Sequence, residues 1–147
     1  MGNSNNTVQP YDQLGYLLMQ VSFLKQRLVN SALRPLDITY VQFVILAGVM
    51  ELSENGSMVT QQSIASERCL DKAMVSNVVK TLIDKHLLAR EVHPSDKRAY
   101  TLRLTEEGRT KAVKGKQTAL DVDSVFFRDI NKGEFQESLE KLLIQNS

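Results

Sequence analysis

One cysteine, two histidines and no apolar run approaching the length of a membrane span are what this 147-residue chain offers, and each scarcity closes off a chemistry. A lone thiol, Cys69, excludes an intramolecular disulfide framework and fits a reducing compartment. His86, His93 and Cys69 are too few and too scattered for a closed zinc site. Neither histidine has an acidic partner at a spacing that suits a triad or a metal, and no paired-carboxylate cleft can be assembled. No GxGxxG run or other phosphate-cradling loop is present. The expectation is therefore a protein that is not an enzyme and needs no cofactor or metal. The first ten residues, MGNSNNTVQP, lack the apolar core of a secretory signal, and Asn6 stands where a myristoylation motif requires Ser or Thr. A cytoplasmic location with no membrane partner is expected.

The chain has the size of one domain with a proper core. Its net charge of +1 is unevenly spread. Residues 60–116 hold 12 Lys and Arg against 7 Asp and Glu, a net of +5, and the remainder holds 6 against 10, a net of −4. A basic segment on a near-neutral chain points to a local polyanion site more than the total does.

The centre of that segment reads DKAMVSNVVKTLIDK, residues 71–85. Val75, Val78, Val79 and Leu82 recur at helical spacing, while Lys72, Ala73, Ser76, Asn77, Lys80 and Thr81 fall on the opposite face. Short polar side chains flanked by lysines suit a DNA major groove, which admits a helix and offers phosphates to lysine and base edges to Asn or Ser. Asp71 is a favoured N-cap, with Leu70 and Val75 placed as a hydrophobic staple. Thr60, with Val59 and Ile64, repeats that device and opens a shorter helix to about Arg68. Two helices across so short a turn have the plan of a helix-turn-helix, and equally that of plain core packing. The residues that follow tilt the balance. Leu88 to His93 and Tyr100 to Leu104 read as two short strands, and the basic, turn-forming run 94–99, PSDKRA, lies between them. A hairpin directly after a reading helix makes a winged helix-turn-helix.

The run LIDKHLLAREVHPSDKRAYTLRLTEEG closely resembles the signature of the multiple-antibiotic-resistance regulator (MarR) family of bacterial transcription factors. The matching residues are Asp96 and Arg98 in the wing and Leu104, Thr105 and Gly108 at the following helix start. The resemblance extends from about Tyr11 to the end. His86 departs from it, standing where the family commonly has glycine to end the reading helix in the left-handed conformation, which histidine adopts only at a cost.

Outside this segment, residues 1–9 read as a mobile polar tail. From Tyr11 to about Leu33, Leu14, Leu17, Leu18, Val21, Phe23, Leu24 and Leu28 give a long helix with an apolar face wider than one packing partner needs. Pro35 breaks it. Thr39 opens a scaffold helix with a capping box to Gln42, Thr105 caps a helix to about Phe127, and Asn131 opens a last helix with a capping box to Glu134. Arg109, Lys111, Lys114 and Lys116 could touch flanking phosphates, although such a run is more often a solvated face. Apolar helices at both ends want a partner, and the MarR resemblance implies that they interlock in a homodimer.

The expected fold is mainly α with a small β-hairpin wing. Residues 36–116 would form the winged helix-turn-helix, and 10–35 and 117–147 the dimerisation helices. The expected function is a sequence-specific transcriptional regulator, a repressor that binds a pseudo-palindromic operator in double-stranded DNA. Lys72, Ala73, Ser76, Asn77 and Lys80 would face the major groove. Arg98, oriented by Asp96, would enter the adjacent minor groove, with Lys97 and Arg90 as phosphate or support contacts. The resemblance implies a small aromatic or phenolic effector lodged between the dimerisation helices and the reading unit. Two other readings stay open: a winged-helix module that binds protein, and a thiol redox switch through Cys69. Against the second, Cys69 sits at the helix-turn-helix junction, and a small apolar side chain there is expected to fill core.

Overall fold

Helix starts in this chain are written in short polar side chains, and the computed structural model, which describes residues 10–147, shows them at work. The expected tail, residues 1–9, lies outside the described residues. Thr39 accepts from Gln42 N and the Gln42 side chain accepts from Thr39 N, a complete capping box that opens helix α2, Tyr40–Glu54. Thr60 opens helix α3, Gln61–Glu67, in the same way, with Ser63 as its reciprocal partner. Asp71 caps helix α4, Lys72–Asp84, by accepting from Met74 N at 2.9 Å. Thr105 caps helix α5, Glu106–Phe126, and Asn131 caps helix α6, Lys132–Gln145, although the Glu134 half of the box expected there is not formed. Helix α1, Pro10–Leu33, ends at Pro35 in a single 3-10 turn, Arg34–Leu36.

Three consecutive helix ends use one device. After α2, α3 and α4 a residue in the left-handed region, Gly56, Cys69 or His86, lets its own amide and the next one bond back to the last turn. After α4 these bonds are His86 N to Ile83 O and Leu87 N to Leu82 O, both 2.9 Å, the double closure that satisfies orphan carbonyls. His86 thus does adopt the conformation for which glycine is the low-cost residue, at φ 59°.

This geometry corrects the expectation for Cys69, which is exposed and fills no core. At φ 51° its side chain is swung out of the helix line, and Leu70, the next residue, is the one partly covered.

Strands β1, Leu88–Val92, and β2, Tyr100–Leu104, pair antiparallel with Leu88 opposite Leu104 and Val92 opposite Tyr100. Val59 O accepts from Leu102 N at 2.7 Å, so the segment ahead of α3 is tied to the wing. The core gathers around α2, whose Phe43, Ile45, Leu46, Val49 and Met50 are all buried. Val75, Val79 and Leu82 of α4, Ile64 of α3, Leu87, Leu88 and Leu102 of the wing region and Val29 and Leu33 of α1 close over it. The three buried α4 side chains hold that helix by one face, each contributing about 1.5–3 kcal/mol.

The ends of the chain behave differently. Along α1, Leu14, Leu17, Leu18, Val21, Phe23, Leu24 and Leu28 are exposed, and of α6 only Leu139 is partly covered. An apolar groove of about 750 Å³ runs between these helices, lined by Leu14, Leu17, Leu18, Val21, Leu139 and Leu142 among others. Among the described residues no single helix is long and apolar enough to cross a membrane.

Candidate nucleic-acid interface

Because α4 is buried along Val75, Val79 and Leu82, its opposite face is presented by geometry alone. Lys72, Ala73, Ser76, Asn77, Lys80 and Thr81 are all exposed, in two adjacent rows whose members follow one another about one turn apart. The face carries two ammonium groups, one carboxamide, two hydroxyls and a methyl. Those are donors and acceptors for base edges, a methyl surface for thymine and cations for phosphate. Thr81 Oγ1 donates to the backbone carbonyl oxygen of Asn77 at 3.2 Å, one turn earlier on the same face.

The exit of α4 is fixed from two directions. Lys85 Nζ donates to the Asp37 carbonyl oxygen and lies 3.6 Å from the Asp37 carboxylate, tying α4 to the turn between α1 and α2. On the other side, Thr105 Oγ1 donates to His86 O at 2.7 Å and Thr105 N to Leu87 O at 3.1 Å. Gly108 completes the junction: a Cβ there would overlap the Leu87 carbonyl oxygen and lie 2.9 Å from its carbonyl carbon. At the other end, Arg68 pairs with Glu51 and fixes the end of α3 on α2.

The wing stands beside this face. Arg98 is 94% exposed in its side chain, with Nε 3.6 Å from Asp96 Oδ1, and the same carboxylate oxygen accepts from Arg98 N at 3.0 Å. The Asp96–Arg98 relation expected from sequence is thus present as a turn in which carboxylate and guanidinium are held together. Lys97 is exposed at the tip. Arg90 lies with its guanidinium 5.3 Å from the centre of the Tyr100 ring, a cation–π contact that braces the hairpin. Arg103 and Glu91 pair across the strands at 2.9 Å.

Some working residues carry no sequence signal. Lys85 and Asp37 are 48 positions apart, and nothing periodic links them. His93 accepts at Nδ1 from Ser95 N and Asp96 N, a local turn for which no spacing rule exists. Lys25 of α1 lies 3.2 Å from the Tyr40 hydroxyl and 3.1 Å from Asp123 of α5, joining three helices. Its burial acts to lower its pKa, but Tyr40 and Asp123 outweigh that and hold it above the ordinary lysine value. The basic residues early in α5 are partly spoken for, Arg109 by Glu54 at 3.5 Å and Lys111 by Glu107 at 4.0 Å. Among the described residues no group of three or more His, Cys, Asp or Glu is arranged to hold a metal ion.

This pairing of helix and wing has relatives. The model of the MarR family matches residues 38–100. An uncharacterized HTH-type transcriptional regulator, YdcH of Bacillus subtilis (strain 168), is 38% identical over 135 residues, which cover 91% of this chain and 92% of YdcH. The chain belongs to the MarR family. A mutant MarR from Escherichia coli complexed with operator DNA superposes with a TM-score of 0.76 at 25% identity, covering 99% of this chain and 98% of that one. CouR from Rhodococcus jostii RHA1, bound to p-coumaroyl-CoA, gives 0.78 at 25% identity, with 92% of each chain covered. The protein is accordingly a MarR-family transcriptional regulator, mainly helical with a two-stranded wing, and DNA binding is its class of activity.

Proposed function

We propose that this MarR-family regulator works in the cytoplasm as a homodimeric repressor on a pseudo-palindromic operator, by binding and not by catalysis. The observation that carries the reading is the face of α4, where every predicted contact residue is exposed while the opposite side is buried in core. Ser76 and Asn77 meet base edges, Ala73 approaches a thymine methyl, and Lys72 and Lys80 meet phosphates. Arg98, aimed by Asp96, enters the flanking minor groove, where a narrow A·T-rich sequence offers enhanced negative potential. Lys97 adds a phosphate contact and Arg90 braces the hairpin.

Dimerisation through 10–35 and 117–147 is supported by the exposed apolar sides of α1 and α6 and by the groove between them, a surface a lone protomer would leave in water. Residues 36–116 form the reading unit, although α5 crosses the division at 116 without a break. Two-fold symmetry then sets two reading helices about 34 Å apart along the duplex. For a small aromatic or phenolic effector the protomer offers an apolar groove of about 540 Å³ lined by Leu120, Phe127, Ile130, Phe135 and Leu139 with Asp123 and Lys132, which lies wholly within 117–147 and not between the dimerisation helices and the reading unit. Effector binding there changes the spacing of the reading heads through α5.

The test is selection of bound sites from random duplex DNA with the full-length protein. An enriched inverted repeat with half-sites about 10 base pairs apart supports the reading. No enrichment, or a single asymmetric half-site, overturns it.

A further inference from the structure

The tip of the wing is held from inside by a histidine. His93 Nδ1 lies 3.1 Å from Ser95 N and 3.3 Å from Asp96 N, with Ser95 Oγ 3.2 Å away. Backbone amides can only donate, so Nδ1 accepts and carries no proton, and the neutral ring is protonated at Nε2. The residue whose amide His93 holds, Asp96, is the one whose carboxylate oxygen accepts the Arg98 amide at 3.0 Å and sits 3.6 Å from its guanidinium. Two further bonds, His93 N to Ala99 O and Ala99 N to Asp96 O, both 3.1 Å, close the turn around the ring. The imidazole thus holds the Asp96 amide, the Asp96 carboxylate holds the Arg98 amide, and the exposed guanidinium starts from that turn beside the carboxylate.

We propose that His93 is a positioning residue for DNA binding: its neutral imidazole sets the Ser95–Asp96 turn that aims Arg98, and protonation at Nδ1 releases that turn and weakens operator binding. The inference rests on the proposed contact between Arg98 and DNA. Imidazolium has N–H groups on both nitrogens, so a proton at Nδ1 would meet two N–H donors where two acceptor contacts had been. The charged residues of the hairpin that carries the ring are Asp96, Lys97 and Arg98 in the turn and Arg90, Glu91 and Arg103 on the strands. Glu91 is engaged by Arg103. If the imidazolium captures Asp96 instead, it takes that carboxylate from Arg98, and the arginine is again misdirected.

The sign of the effect separates this role from a simpler one. A histidine that met a phosphate as a cation would strengthen binding as pH falls, because each added charge on the protein releases counterions. A positioning histidine that works only when neutral weakens binding over the same range, about pH 8 to 5, where histidine changes charge.

The experiment measures affinity for one duplex, enriched by the full-length wild-type protein from a random pool, at about pH 8 and about pH 5.5, on either side of that change. Wild type should lose roughly three- to tenfold per wing in acid, the scale of about one net hydrogen bond. His93→Asn places a non-titrating oxygen near the position of Nδ1 and should keep the neutral-pH affinity while removing most of the acid loss. His93→Ala should bind like the acid form at both pH values, with an unchanged melting temperature. In the free protein at neutral pH, the nitrogen chemical shift of His93 should report an unprotonated Nδ1. Wild-type affinity that rises in acid overturns the inference. So does a His93→Ala variant as tight as wild type when Arg98→Ala is weakened, a result that leaves the wing contact standing. If Arg98→Ala also binds as tightly as wild type, the wing contact itself fails and this inference goes with it.

Discussion

Replacing Gly108 with alanine adds one carbon atom where the fold has no room for it. Gly108 is buried in the first turn of α5, and its amide donates to Thr105 Oγ1 at 3.0 Å. The added Cβ would overlap the Leu87 carbonyl oxygen and come within 2.9 Å and 3.2 Å of the Leu87 carbonyl carbon and Cα. All three are backbone atoms, so no rotamer change relieves the contact. Either the start of α5 or residues 86–87 must move, straining the bonds from Thr105 to His86 O and Leu87 O. Overpacking costs about 1–3 kcal/mol, and losing one or two hydrogen bonds adds about 0.5–1.5 kcal/mol each. Alanine returns at most about 1 kcal/mol through helix propensity. The net expectation is a loss of about 2–4 kcal/mol, or about 5–15 °C in melting temperature for a chain of this length. Gly133→Ala in α6 is the control, since its nearest neighbour would be 3.6 Å away, and it should stay within about 0.5 kcal/mol of wild type. Thermal melts at one protein concentration make the comparison, because dimerisation shifts apparent stability. A Gly108→Ala protein that melts within about 2 °C of wild type would refute the steric reasoning.

Arg98→Ala should cost about 1–3 kcal/mol per subunit in operator binding and leave thermal stability within about 0.5 kcal/mol; a collapsed melting temperature would reassign the Asp96–Arg98 pair to a structural role. Charged substitutions at Leu17 and Leu142, which are exposed in the protomer, should weaken self-association in analytical ultracentrifugation, and a monomeric wild type at micromolar concentration would refute the dimer. His86→Gly should stabilise the protein by about 0.5–1 kcal/mol, since the left-handed conformation costs an L-residue about 1–2 kcal/mol and glycine gives part of that back in unfolded-chain entropy. A denaturant titration showing His86→Gly less stable than wild type would mean the imidazole makes a contact worth more than that strain.

Where a structural feature is set by neighbours in the chain, the sequence announces it. Asp71, Thr39, Thr60 and Thr105 cap the helices they were expected to cap, because an N-cap needs only its own side chain and an amide three residues on. The burial of Val75, Val79 and Leu82 follows from spacing, and so does the exposure of Lys72, Ser76, Asn77 and Lys80. The left-handed end at His86 was legible as a departure from glycine in the related family. Cys69 misled because its residue type argues for burial, while the same left-handed closure that ends α4 also ends α3 and turns the thiol outward. Long-range ties such as Lys85 to Asp37 and Lys25 to Asp123 were invisible, since neither periodicity nor capping relates α4 to the turn after α1, or α1 to α5. The His93 turn was local enough to be found, but histidine as a backbone-amide acceptor has no familiar spacing rule to give it away.

Above all, we propose that the exposed face of α4 reads base sequence. This role is tested most directly by repeating site selection from random duplex DNA with Asn77→Ala beside the wild type, at one fixed salt concentration. Asn77 is exposed and packs in no core, so the variant should fold as wild type does. The expected result is the same inverted repeat with relaxed preference at one symmetric position in each half-site, a loss of about 1–3 kcal/mol of discrimination there. An unchanged preference at every position would contradict it.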